Sequence, residues 1–258
     1  MKHTKSLVAV ISVILFLSVL LLGANTVFSV SKVEIEYTLS SAQAYEDAEK
    51  LHNALNEKFV GENILFLREE NLRSEFDGYP YLNVTGVEKQ YPDTVKLFVE
   101  EKLEVFALVR QGENAPVYAM ADKQGNILRE SSTNQNNVDG GENVSIEGLT
   151  YSAQKGFQGD AHFQTAIDLF AKAAEKMGSV RGCFTRLQIS SNAVRTVFTL
   201  YTREGVYIEI DNPAQATEQK ITSALNLFLS LKDNEKLYGY ITVLEVSGQI
   251  KPTYTPRG

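Results

Sequence analysis

The longest unbroken apolar run opens the chain. From Ser6 to Ala24 the residues SLVAVISVILFLSVLLLGA carry no charge, and about 19 residues rising 1.5 Å each approach the roughly 30 Å of a bilayer core. This predicts a single membrane-crossing helix. Lys2 and Lys5 precede the run and the next positive charge is Lys32, so residues 1–5 are expected in the cytoplasm and the large C-terminal part outside. The rival reading is a cleaved signal peptide, because small residues follow at Gly23 and Ala24. The run is longer than a usual h-region of about 7 to 15 residues, and no clear small-x-small cleavage site follows it.

Beyond the run the pattern alternates between periods of two and of about four. In Phe28 to Tyr37, the residues Val33, Ile35 and Tyr37 share one side and Lys32, Glu34 and Glu36 the other, which predicts a strand with one buried face. Ser40 with Gln43 forms a candidate capping box for a helix placing Tyr45, Ala48, Leu51, Leu55 and Phe59 on one face and ending at Gly61. Arg68 to Phe76 reads as a second short helix. Strands follow at Leu82 to Gln90 and Thr94 to Glu101, joined through Tyr91-Pro92-Asp93, where proline presets the turn. The order to this point is strand, helix, helix, strand, strand.

Further strands are predicted at Val105 to Arg110, Val117 to Ala121 and Asn126 to Arg129, the last two around an Asp122-Lys123-Gln124-Gly125 turn. Ser131 to Asn143 is polar, rich in Asn and Gly and without periodicity, which predicts a mobile surface loop with solvated asparagines. Phe163, Ile167, Phe170, Ala171 and Ala174 mark an amphipathic helix stopped at Gly178. Strands at Thr185 to Ser190, Arg195 to Tyr201 and Val206 to Ile210 come next, then a helix after Asn212-Pro213 with Ile221, Leu225, Phe228 and Leu229 on one face. Tyr240 to Val246 is a last strand, with an extended tail through Ile250 and Tyr254.

Composition narrows the function. The net charge of -7, without any basic cluster, argues against nucleic acid as a partner. Cys183 is the single cysteine, so no intramolecular disulfide forms; before Phe184 it reads as a small buried residue rather than a reactive thiol. Of the three histidines, His3 lies in the N-terminal tail, and neither His52 nor His162 stands beside a nucleophile motif or a metal-ligand spacing. The acidic pairs Glu46-Asp47, Glu69-Glu70 and Glu100-Glu101 are adjacent in sequence, and neighbours on a strand or helix point apart, so they read as solvated charge. No glycine-rich phosphate loop is present. Nothing points to a catalytic site, a metal or a cofactor.

Several segments, in this order, carry a family resemblance. They are Gly61-Glu62-Asn63-Ile64-Leu65-Phe66-Leu67, then Tyr79-Pro80-Tyr81-Leu82 with Val84, Val87 and Glu88-Lys89, then Tyr91-Pro92-Asp93-Thr94-Val95 and Val99-Glu100-Glu101-Lys102. Tyr118 to Leu128 and Thr202 to Ile210 continue the series. Together the chain resembles the FtsQ/DivIB cell-division proteins. Two departures stand out: Glu104 occupies a position usually held by proline, and the terminal strand offers Thr242, Leu244 and Glu245 in place of an Asp-x-Arg-Tyr pattern.

The resemblance implies an α+β chain: a cytoplasmic tail (1–5), a transmembrane helix (6–24), a POTRA domain of order β-α-α-β-β (28–102), a mixed-sheet β-domain with two helices (103–250, with a flexible loop at 131–143) and a C-terminal tail (251–258). It implies a non-catalytic scaffold at the division septum, without cofactor, that binds FtsB/DivIC-like and FtsL-like bitopic partners and links them to septal peptidoglycan synthesis. A terminal strand at a sheet edge offers unpaired backbone groups to an incoming strand. By position the resemblance puts this partner site at Ile241, Val243, Leu244, Glu245, Ser247, Gly248 and Ile250. The side chains of Ile241, Val243 and Val246 are either partner contacts or core. A translocation chaperone bearing POTRA domains, and an extracytoplasmic enzyme or ligand sensor, are the alternatives.

Overall fold

The computed structural model describes residues 11–16, 18, 23 and 26–257. The fold is α+β and divides into two compact units, residues 1–102 and 103–258. The expected membrane-crossing helix over 6–24 is corrected. Among the described residues no helix is long and apolar enough to cross a membrane. Of the expected span, the described residues 11–16, 18 and 23 are helical. The single-pass membrane placement, with its inside and outside ends, is withdrawn with the helix. The expected tail at 1–5 and most of the remaining expected span, residues 6–10, 17, 19–22 and 24, lie outside the described residues.

The first unit runs β1 (Lys32–Thr38), α1 (Ala42–Phe59), α2 (Glu69–Arg73), a 3-10 turn (Ser74–Gly78), β2 (Leu82–Gln90) and β3 (Thr94–Glu101). Its sheet has the order β1-β3-β2, with β1 parallel and β2 antiparallel to the central β3. The alternation in β3 buries Val95, Leu97 and Val99, and α1 packs on β1 and β2 through Ala44, Ala48, Leu51, Leu55 and Phe59. The helix starts one residue later than the candidate box: Ser41, not Ser40, is the N-cap, its Oγ accepting from the Ala44 amide. Glu101 from β3 accepts from both serine amides and from the Ser41 hydroxyl, tying the helix start to the sheet.

The second unit contains β4 (Phe106–Gln111), β5 (Pro116–Ala121), β6 (Ile127–Ser131), β7 (Val144–Glu147), α3 (Phe163–Met177), the single-turn α4 (Val180–Cys183), β8 (Phe184–Ser191), β9 (Thr196–Thr202), β10 (Val206–Asp211), α5 (Thr217–Ser230), the single-turn α6 (Asp233–Lys236), β11 (Gly239–Val246) and β12 (Gln249–Pro256). They form one mixed sheet of nine strands in the order β12-β11-β10-β9-β8-β7-β4-β5-β6. Parallel joints occur at β4/β7, β7/β8 and β10/β11, and the last two are bridged by α3 and α5. Both helices pack on one face and on each other. The core there joins Ile167 and Phe170 of α3, Ile221, Leu225 and Phe228 of α5, and Leu108, Ile146, Leu187, Leu200 and Ile208 of the sheet. Each such side chain, fully buried, contributes about 1.5–3 kcal/mol.

Two sequence expectations change here. The segment expected to be an extended tail is a strand: β12 runs to Pro256 and pairs along its whole length with β11. Two asparagines of the 131–143 segment are buried rather than solvated. Asn136 and Asn143 are 5% and 1% exposed, and they hold one another and the buried Glu104, whose carboxylate also accepts from Arg129 Nε at 2.7 Å and from the Asn137 amide at 3.1 Å. Polar residues can be buried here because Glu104 supplies acceptors inside the fold.

Candidate functional site

The candidate site is the β11–β12 hairpin. Ser247 and Gly248 have φ of 53° and 74°, the left-handed pair that a two-residue type I′ turn requires and that matches strand twist. The register fixes every outward group. Val246 and Gln249 flank the turn as a hydrogen-bonded pair, so in an antiparallel ladder the pairs Leu244/Lys251, Thr242/Thr253 and Tyr240/Thr255 also exchange bonds. The alternate residues of β12, Ile250, Pro252, Tyr254 and Pro256, aim their backbone away from β11. Prolines at two of these four positions agree, since a proline facing β11 would break the ladder. Among the described residues, β12 has no strand on its outer side.

The residues expected to form the partner site divide. Ile241 and Val243 are fully buried in the core. Leu244 is exposed, Glu245 lies at the surface 3.9 Å from the buried Lys220 Nζ, and Ser247 and Gly248 make the exposed turn. Lys220 is already engaged, donating to the carbonyls of Asp211 and Asn212 at 2.9 Å each. Ile250 belongs to the open edge, half-buried against the core. Residues 239–243 of β11 are flanked on both sides, by β10 and β12, while residues 244–246 pair with β12 alone. An outward-facing backbone edge also runs along β12, over 249–256. Ile250, Pro252, Tyr254 and Pro256 recur with a period of two, which is a strand signal in the sequence; the prolines disguised it as a tail.

Tyr254 anchors this strand. Its hydroxyl lies 2.8 Å from the Glu235 carbonyl and 2.9 Å from the Tyr238 carbonyl. A Cβ at residue 239 would collide with its ring, so the strand opposite needs Gly239. On the sheet face away from the helices, Arg186 lies 4.0 Å over Tyr201, Tyr201 and Tyr207 are 4.8 Å apart, Tyr207 and Tyr240 are 5.6 Å apart, and Arg257 covers Tyr240 at 5.7 Å. This ladder crosses β8 to β11 and stiffens the end of the sheet that presents β12.

Other candidates carry less chemistry. A cavity of about 680 Å³ is lined by Val109, Arg110, Tyr118, Glu147, Leu149 and Tyr151 among others. Arg110 Nη2 already meets the Glu130 carboxylate at 3.0 Å, and its guanidinium stacks on Tyr151. Its Nε makes no hydrogen bond and is shut off from solvent, so a ligand in the cavity does not reach it. His162 Nε2 lies 3.2 Å from Ser191 Oγ, which lies 2.9 Å from Thr196 Oγ1. Ser191 sits exposed at the hairpin end between β8 and β9. His52 Nε2 lies 3.2 Å from the Val33 carbonyl, linking α1 to β1. Burial pushes the Cys183 thiol above its ordinary pKa. Among the described residues no group of three or more His, Cys, Asp or Glu could hold a metal ion. No protein-family model matches the chain, and no curated protein matches it.

Proposed function

We propose that this protein is a non-catalytic binding module that takes up an extended segment of a partner protein by β-augmentation at the outer edge of β12. The observation that carries the reading is that edge: a strand of eight residues at the end of the sheet that, among the described residues, pairs with β11 alone and is held in place by its own Tyr254 anchor. Backbone groups that face outward in register supply affinity with little demand on side chains. The sequence resemblance names the partners, FtsB/DivIC-like and FtsL-like division proteins, and the role, a divisome scaffold that helps coordinate septal peptidoglycan synthesis.

The test is co-purification of the full chain with the DivIC-like protein of the same organism. Ile250→Pro deletes an outward donor without touching the β11 ladder. Capture is expected to fall at least tenfold while the circular dichroism spectrum stays that of the parent. Thr253→Pro, which breaks the inward ladder, serves as the unfolded-hairpin comparison. Undiminished capture by a folded Ile250→Pro protein would overturn the proposal.

A further inference from the structure

We infer that Pro252 and Pro256 are specificity determinants of the β12 edge: they keep a second copy of this chain from pairing there, while leaving the edge open to a foreign strand. The argument starts from the register. The four outward positions of β12 are Ile250, Pro252, Tyr254 and Pro256. Each offers a carbonyl, but proline has no amide hydrogen. The edge therefore presents four acceptors and two donors, the Ile250 and Tyr254 amides.

A foreign strand laid along this edge satisfies all four carbonyls with its own amides. It leaves two of its own carbonyls without a donor, at Pro252 and Pro256. A second copy of β12 brings the same deficit from both sides, so a full-length self-pair lacks four donors. In the antiparallel two-fold arrangement centred on residue 252, the two Pro252 rings meet and neither bond of that pair forms. Centred on residue 254, the Tyr254 pair is complete, but both Pro252/Pro256 pairs are empty. Every register that brings the two strands together over their length carries the loss. Edge strands that lack such protection pair with copies of themselves, and proline is one of the devices that prevents it. Along the outward series Ile250 packs against the core and Tyr254 is hydrogen-bonded to the Glu235 and Tyr238 carbonyls.

The inference deepens the reading of β12 as an interaction edge and rests on it for the foreign strand alone; the exclusion of self-pairing follows from the register whatever the partner is. The experiment uses the full chain and its Pro252→Thr/Pro256→Thr double variant, which restores both amides in residues suited to strands. Sedimentation velocity and amide hydrogen exchange are read over the same concentration series. The double variant is expected to self-associate more strongly than the parent by at least tenfold, with the Ile250 and Tyr254 amides slowing as concentration rises. The parent is expected to show no concentration dependence at those two amides. Equal association of parent and variant, with the Thr253 and Thr255 amides protected in both and the hairpin therefore intact, would overturn the inference. So would slowing of Ile250 and Tyr254 exchange with concentration in the parent. Failure of the partner capture described above leaves both readouts unaffected, so the two ideas fall separately.

Discussion

Glu104 shows how one residue can hold a segment with no secondary structure of its own. Its side chain is fully buried, its carboxylate is shared between Arg129 and the Asn137 amide, and its carbonyl accepts from Asn136. Removing one partner of a buried ion pair leaves the other uncompensated, at a cost of about 3–5 kcal/mol, and the low end applies because Arg129 is one-third exposed. Glu104→Ala is therefore expected to lower the free energy of unfolding by about 3 kcal/mol, measured by urea denaturation, and to raise amide exchange across 134–143 before any other segment. A loss under about 0.5 kcal/mol, the range of ordinary surface substitutions, would count against the network.

Tyr37 gives a pH-dependent counterpart at the same scale. Its hydroxyl donates to the Ala48 carbonyl at 3.0 Å, and burial pushes its ionisation up to about 12, against about 10 in an unfolded chain. The folded state holds the proton longer, so the stabilisation is complete below about pH 10 and is lost as pH rises toward about 12. Denaturation midpoints should fall more steeply over that window in the parent than in Tyr37→Phe; parallel curves would show that the hydroxyl stays solvated. Neither residue announced this role in the sequence. Tyr37 was legible as an inward strand position, but Glu104 appeared only as an unusual substitution. Its partners come from residues 25 and more positions away, which no local pattern reveals.

Among the elements, those set by one-dimensional periodicity were legible and those set by pairing were not. The apolar stripe of α3 gave the helix, and the two-residue alternation of β3 gave its buried face. The start of α5 was missed: Asn212 and Pro213 looked like a cap, yet the helix begins at Thr217 after a turn with φ of 42° at Asn212 and 57° at Ala216. Lys220, reaching back to the Asp211 and Asn212 carbonyls, stabilises that turn by a contact that only the folded helix creates. The pairing of β12 with β11 is likewise created only when the chain folds back on itself. Tyr254→Phe isolates what fastens that last strand. Losing the hydroxyl's bonds to Glu235 and Tyr238 is expected to cost about 1 kcal/mol. The Thr253 and Thr255 amides, which point into the ladder, should exchange faster while those of β8 and β9 stay as they were. A uniform change across the sheet would mean that Tyr254 contributes to global packing rather than to the strand.

At the scale of the whole molecule, the core of the second unit is assembled entirely from residues beyond 103, from Val105 to Tyr254. A unit of about 150 residues with one continuous apolar core lies in the range where domains fold alone. Its long-range order depends on two helices crossing between parallel strands, α3 from β7 to β8 and α5 from β10 to β11. Both helices share the core with the sheet, so unit formation should be cooperative. Residues 103–257 made alone are therefore expected to give dispersed amide resonances and a single denaturant transition, with protected amides at Leu187, Leu200 and Ile208. Phe170→Ala, which empties the space between Phe106 at 5.0 Å and Phe184 at 5.9 Å, should shift that one transition by about 3–5 kcal/mol rather than split it. Two transitions, one for the β4–β7 half and one for the β8–β12 half, would show that the nine strands are held together by the ladder alone.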